Sequence, residues 1–151
     1  MYLIDSFLAW NYTACHHRDK APDELVWIPN MLKNNIATAF LQMATSGAVR
    51  EAYEKYIHPD FIHHNAHFKG DRESILRGME ESAQQFPNKQ CEILRTLEDG
   101  DMLAVHCKIT LDAETVFALI HIFRIEDEKI IEAWEASQEA RKDSPNENGI
   151  F

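Results

Sequence analysis

The sequence predicts an α+β domain in which helices pack against a strongly curved antiparallel sheet. Two observations support this fold class. Apolar residues at helical spacing come first in the patterned part of the chain, and four long strand-like segments follow them. Helices that precede an antiparallel sheet are typical of α+β architecture. A bent sheet closed by those helices forms a cone whose open mouth suits a small ligand.

Length and composition fit one globular domain. The chain has 151 residues, and 45% of them are apolar, which is enough for a core. Acidic residues number 25 against 15 basic ones, for a formal charge of −10, and no basic stripe appears, so nucleic acid is not an expected partner. No apolar run approaches membrane-spanning length, and no signal-peptide pattern opens the chain. We therefore expect a cytoplasmic protein with no membrane partner.

The chain divides into three parts by pattern. Residues 1–30 show no sustained periodicity and are interpreted as an N-terminal extension. Residues 31–140 carry the domain, and residues 141–151, which are rich in Asn, Pro and charge, are expected to be a mobile tail. One hypothesis is that Met31 is the physiological start of translation.

Three helices are predicted from apolar residues at helical spacing. The first opens near Asn34 and stops at Gly47, a residue typical of helix ends. The second covers residues 49–57 and is expected to end because of Pro59. Asp71 is the predicted N-cap of the third helix.

Five strands are predicted, a short one before the third helix and four that form a meander. Their ranges are 61–65, 91–97, 102–111, 116–125 and 130–138. Asp99-Gly100 is a strong hairpin signal between the second and third of these strands. The strand over 116–125 is apolar on both faces apart from His121, as expected of a central strand covered on both sides.

Cysteine and histidine usage indicates neither disulfides nor a metal. The three cysteines, Cys15, Cys91 and Cys107, cannot all pair within one chain, and no Cys-x-x-Cys occurs. We interpret them as free thiols in a reducing compartment. No recognisable ligand spacing relates the clustered candidates Cys15, His16, His17, His63, His64 and His67. No metal is therefore predicted.

Several segments, taken in order, resemble a known family. They are Tyr56-Ile57-His58-Pro59-Asp60-Phe61-Ile62-His63-His64-Asn65, Gly70, Val105-His106, Ile122-Phe123-Arg124-Ile125-Glu126 and Lys129-Ile130-Ile131-Glu132-Ala133-Trp134-Glu135. Together they look like SnoaL-like polyketide cyclases of the nuclear-transport-factor-two-like superfamily, and more narrowly like its predicted aldol-condensation-catalysing branch. The likeness covers about Asn34 to Gln138. It implies a cone-shaped fold with acid and base residues in the cavity, often as a homodimer built on the outer sheet face.

The resemblance also assigns positions. The acidic residue that the family has after a Trp falls on Glu135, where Asp is more usual. The residue before that Trp is commonly His and is Ala133 here, and a position that is commonly Asp is His121. A His-Asn pair at the end of the first strand matches His64-Asn65.

Aldol-type chemistry needs a base that removes a proton next to a carbonyl and an acid that protonates the attacked oxygen, and it requires no cofactor. Burial in an apolar cone raises a carboxyl pKa toward neutrality, which favours Glu135 as the base. His121 and His64 are the candidate acids. The candidates for binding a small hydrophobic carbonyl compound are Asn65, His106, Phe123 and Trp134.

Strand register decides whether His121 and Glu135 share a face. A two-residue loop over 127–128 places His121 opposite Trp134 and turns Glu135 away. A three-residue loop over 127–129, or a bulge, places His121 opposite Glu135. The sequence leaves these alternatives open.

The sequence also leaves open which of two neighbouring histidines faces the cavity and which of two functions the protein has. Because neighbouring strand residues point to opposite faces, at most one of His63 and His64 enters the cavity, and the resemblance favours His64. The residues His121 and Ala133 depart from the family pattern and favour a non-catalytic ligand-binding or dimerisation module. The retained Glu135 favours an enzyme of the cyclase, lyase or isomerase kind, and fold alone does not choose.

Overall fold

The computed structural model describes residues 27–151, which form three helices and one five-stranded sheet. The helices are α1 (Trp27–Thr45), α2 (Val49–Tyr56) and α3 (Arg72–Gln85). The strands are β1 (Ile57–His64), β2 (Gln90–Asp99), β3 (Met102–Thr110), β4 (Val116–Glu126) and β5 (Lys129–Glu139). The sheet order is β1-β5-β4-β3-β2, with β2 to β5 antiparallel and β1 parallel to β5. The predicted α+β class is confirmed.

The boundary between α2 and β1 differs from the prediction. The helix ends at Tyr56 and the strand already begins at Ile57, so Pro59 lies inside β1 instead of ending a helix. Within the described sheet β1 pairs only with β5, and that pairing is irregular between Ile57 and Ile62. An edge strand tolerates Pro because its missing N–H is not needed by a second neighbour.

The segment Cys15-His16-His17 lies outside the described residues.

The start of α3 follows the prediction closely. The Asp71 carboxylate accepts a hydrogen bond of 2.8 Å from the Ser74 backbone N–H, which satisfies one of the free donors of the first helical turn. Hydrogen bonding to Ser74 lowers the pKa of Asp71 to about 2. The predicted N-cap is therefore confirmed.

The helices cover only one face of the sheet. Leu103, Val105 and Cys107 alternate along β3 and are buried against the helices, and the Phe40 ring of α1 meets Phe123 of β4 edge-on at 6.3 Å. Burying one such side chain contributes about 1.5–3 kcal/mol, so this inner face supplies most of the apolar stabilisation.

None of the described helices is long and apolar enough to cross a membrane.

The outer face of the sheet is uncovered in the single chain. Ile120 and Ile122 of β4 are 41% and 37% exposed. The central position of β4 is as predicted, but its expected coverage on both sides is not supplied by the described part of this chain.

A tight turn and a bulge together fix the β4–β5 register. Asp127 and Glu128 form a two-residue turn with φ of 46° and 61°, the left-handed geometry of a type I′ hairpin. The pairing then shifts by one residue between Arg124 and Ile125, which leaves Ile131 as the extra residue on β5. Beyond this bulge His121 lies directly opposite Glu135. Of the alternatives that the sequence left open, the bulge is the one adopted.

The turn generates a stability prediction. Glu128→Gly should raise the free energy of unfolding by about 0.5–1 kcal/mol, because glycine adopts positive φ without the steric cost that an L side chain meets. Urea unfolding monitored by circular dichroism measures the change. Glu126→Gly is the matched control, since it removes the same charge from an extended residue and should destabilise the hairpin. Equal effects of the two substitutions would contradict the assigned turn.

Candidate active site

A cavity of about 350 Å³ lies between the inner face of the sheet and the helices. Its wall is mainly apolar and rich in aromatic rings, which come from Phe40, Tyr53, Phe61, Phe68, Phe117 and Phe123. Polar side chains are the minority among the lining residues, and this combination is typical of sites that bind small molecules.

Glu135 lies between two buried imidazoles. It stands on β5, which runs between β1 and β4, and those strands contribute His63 and His121. Glu135 Oε2 is 3.9 Å from His63 Nε2 and 3.7 Å from His121 Nδ1. Both histidines are only 8% exposed. The distances exceed hydrogen-bonding range, so the three groups share one space without being locked together.

Burial controls the protonation of this cluster. It lowers the pKa of His63 and of His121 to about 4, so both imidazoles are neutral at neutral pH. Burial also raises the pKa of Glu135, an effect partly opposed by the electrostatic influence of the nearby His67 imidazole. Groups whose pKa values are displaced by desolvation in a cavity mark candidate catalytic sites.

Tyr53 adds a hydroxyl that the sequence reasoning missed. It lies on α2 and lines the cavity, where its ring packs 5.6 Å from Phe40 and 6.4 Å from Phe61. Its hydroxyl is buried and has no hydrogen-bond partner among the described residues, and burial raises the pKa of the phenol. Helical spacing marked Tyr53 as a core position, and nothing in the local sequence separates a hydroxyl that faces a cavity from one in the core.

The structure corrects the choice between the two neighbouring histidines. His63 faces the cavity, whereas the side chain of His64 is 45% exposed on the outer face of the sheet. There His64 Nε2 lies 2.8 Å from Glu132 Oε1, and its ring stacks on Trp134 at 5.0 Å. Strand alternation requires this separation, and Trp134 also lies outside the cavity that it was expected to line.

The other substrate-binding candidates have mixed positions. Phe123 lines the cavity as expected. Asn65 also lines it, but its Oδ1 accepts hydrogen bonds from the backbone N–H groups of His67 and Phe68, so the side chain shapes the loop over 65–70. His106 alternates with buried residues of β3 and points to the outer face, away from the cavity. The expectation that His106 would contact a ligand there is therefore corrected.

The loop that follows β1 supplies part of the cavity wall. Phe68 lines the cavity while staying 44% exposed, and its ring lies directly on Gly78 of α3. A Cβ at position 78 would clash with that ring. Glycine at position 78 therefore lets the Phe68 ring pack on α3, and a larger residue would require that ring to shift.

Among residues 27–151, no group of three or more His, Cys, Asp or Glu side chains is arranged to hold a metal ion. Cys91 and Cys107 are free thiols.

The curved sheet, the helices on its inner face and the enclosed polar cluster define a pocket protein of the nuclear-transport-factor-two-like class. The family model described as SnoaL-like domain matches residues 37–133. The chain belongs to this SnoaL-like family. No match was found among curated proteins.

Solved structures with the same fold include three bacterial proteins. A proposed polyketide cyclase from Acidithiobacillus ferrooxidans is 16% identical with a TM-score of 0.63, over 71% of this chain and 88% of that one. IdmH, a proposed polyketide cyclase from Streptomyces antibioticus, is 22% identical with a TM-score of 0.58, over 71% and 91%. A proposed ketosteroid isomerase from Kribbella flavida is 18% identical with a TM-score of 0.61, over 80% and 89%. At these identities the likeness shows the fold alone.

The buried imidazoles make stability depend on pH. In the unfolded chain His121 takes up a proton near its ordinary pKa of 6.5, whereas in the folded protein its pKa is about 4. As the pH falls, the unfolded state therefore binds more protons than the folded state. The stability that the protein has above pH 6.5 is partly lost on acidification, because protonation of His121 favours unfolding. Between pH 7 and pH 5 this loss amounts to about 2 kcal/mol for one such histidine. His121→Gln should remove that part of the pH dependence.

Urea unfolding at the two pH values measures the effect. His106→Gln is the control, because it removes a histidine from the outer face of the same sheet. A pH dependence unchanged by His121→Gln would mean that this imidazole is not desolvated in the folded state.

Proposed function

We propose that this protein binds a small hydrophobic carbonyl compound in the cavity and catalyses cofactor-free proton transfer on it, as a cyclase, lyase or isomerase of the aldol type. The observation that carries the proposal is a desolvated carboxylate, Glu135, in a largely apolar cavity between two neutral imidazoles. Membership of the SnoaL-like family is consistent with this chemistry.

Glu135 acts as the general base. Its raised pKa makes its carboxylate a stronger base than an exposed glutamate. It removes a proton from the carbon next to the substrate carbonyl. The electrons of the broken C–H bond then form an enolate, whose negative charge rests on the carbonyl oxygen.

Donors near Glu135 stabilise that oxygen. The neutral imidazoles of His63 and His121 each carry one N–H, and the Tyr53 hydroxyl stays protonated because burial raises its pKa. In an aldol closure the enolate carbon attacks a second carbonyl carbon and forms the new C–C bond. The resulting alkoxide takes back the proton held by Glu135, so the carboxylate is regenerated and no proton is gained or lost.

The base is tested by substitution. Glu135→Gln should lower the rate of proton transfer at least about 100-fold, because a positioned acid–base group contributes about 10²–10⁴-fold. Folding should persist, since the amide keeps the shape of the side chain. Deuterium incorporation next to the carbonyl, followed by NMR in D2O over a panel of hydrophobic ketones and β-ketoesters, measures the rate.

Glu132→Gln is the matched control, since it alters a carboxylate on the same strand but on the outer face. Wild-type exchange rates in Glu135→Gln would refute the assigned base. Absence of accelerated exchange by the wild-type protein in every compound of the panel would contradict the proposed reaction.

We also propose that two copies of the chain pair through the outer face of the sheet. Exposed apolar side chains lie on three strands of that face and are Ile62 (49%), Leu97 (70%), Ile120 (41%) and Ile122 (37%). Isolated exposed apolar residues are ordinary, but a group on one sheet face favours an interface. A second copy would bury this face. It would thereby cover the outer side of β4, which is expected because both faces of that central strand are apolar.

Pairing is tested by charge insertion. Ile122→Glu should convert a dimer into a monomer, because the partner copy would bury an unpaired carboxylate. Sedimentation velocity measures the molecular mass. Leu32→Glu adds the same charge at an exposed position on α1 and should leave the mass unchanged. A wild-type protein that sediments as a monomer would rule out this interface.

A further inference from the structure

We propose that the cavity has an oxyanion-binding subsite built on Lys89 and Ser82, so that its ligand is an amphipathic acid with an apolar body. The anionic group lies at Lys89, and the reacting carbonyl lies near Glu135. This inference deepens the proposed function, since it assumes that the cavity holds the ligand.

The first observation is the position of a lysine in the cavity wall. Lys89 lies between α3 and β2, and of the described residues that line the cavity it is the one Lys or Arg. Its Nζ donates a hydrogen bond of 3.0 Å to the Ser82 hydroxyl, which lines the same cavity. An ammonium has three donors, so two remain for a ligand.

The second observation is the absence of a counter-ion. Over residues 27–151 Lys89 forms no ion pair with a carboxylate, in contrast to Lys33, Lys69 and Lys142. Lys55, Lys108 and Lys129 also lack one, but of these four lysines only Lys89 lines the cavity. This holds although the chain has ten more acidic than basic residues. Lys89 is also half-buried, and burial lowers the pKa of its ammonium. A partly desolvated cation without a protein anion is unfavourable, and an anionic ligand would relieve that cost.

The third observation is the distance between the two polar ends. Gln90, the residue after Lys89, pairs with Thr110, which in turn pairs with Val116 of β4. The imidazole beside Glu135 belongs to His121, five residues further along the same strand. At about 3.3 Å per residue, these two rows of the sheet are roughly 16 Å apart.

The wall between these rows is mainly apolar, although Ser137 of β5, which pairs with Leu119, also lines it. Phe117 and Leu119 of β4 line the cavity between them, and Leu111 lies beside the Lys89 end. The cavity therefore presents a cation, a mainly apolar middle section and an acid–base cluster in that order. A ligand complementary to this order carries a carboxylate or phosphate monoester at one end of a hydrocarbon chain or ring system, with its reactive carbonyl away from that end.

Matched probes test the subsite. Decanoate, decyl phosphate and decanol have the same chain length and differ in the terminal group, and isothermal titration calorimetry below the micellar range gives their dissociation constants. Wild-type protein should bind at least one of the two anions about tenfold more tightly than decanol, as expected for one charge-assisted hydrogen bond. The better anion identifies whether carboxylate or phosphate is preferred.

Substitutions then locate the effect. Lys89→Met should abolish the preference for the anion, whereas Lys89→Arg should retain it, because guanidinium also binds oxyanions. Lys55→Met is the control, since it removes an equal charge from the exposed face of α2. Equal affinities of wild-type protein for decanol and both anions, no binding of any probe, or an anion preference that survives in Lys89→Met would overturn the proposal.

This test separates the subsite from the proposed reaction. Glu135→Gln should keep the anion preference, because the substitution lies at the opposite end of the cavity. Retained preference together with no proton transfer in wild-type protein would overturn the proposed reaction and leave the subsite standing. Proton transfer without any anion preference would overturn the proposed subsite and leave the proposed reaction standing.

Discussion

One extra residue in β5 determines which side chains of the last hairpin reach the cavity. Strand residues alternate between faces, so the two-residue turn alone would direct Trp134 inward and Glu135 outward. The bulge at Ile131 reverses that alternation for the remainder of the strand. As a result Glu135 faces inward beside His121, and Trp134 packs on the outer face. The acid–base cluster exists because of this local change in backbone register.

Burial acts on the cluster in two opposite ways. It disfavours the charged forms of both imidazoles and also of the carboxylate, so the histidines become weaker bases while Glu135 becomes a stronger one. A histidine–glutamate ion pair would cancel this difference, but neutral imidazoles at 3.7 and 3.9 Å do not form one. One base and several neutral donors therefore share the cavity, which is the division of roles that proton transfer next to a carbonyl requires.

The two faces of the sheet have separate roles in this interpretation. The inner face packs against the helices and forms a cavity whose lining includes both Glu135 and Lys89. The outer face carries a network of His64 and Glu132 beside exposed isoleucines. Because alternate residues of each strand serve different faces, a ligand site and a proposed dimer surface are built from the same strands without sharing side chains.

The sequence by itself determined the order of the elements, the Asp71 cap and the family, because periodicity, capping and ordered family segments are local properties of the chain. It also predicted Glu135 as the candidate base. Only the tertiary structure selected His63 over His64 and brought Tyr53 and Lys89 into the cavity. Those outcomes depend on which strand face the helices cover and on a bulge that no nearby residue type requires. Strand register and long-range packing depend on contacts throughout the protein, so the local sequence does not predict them.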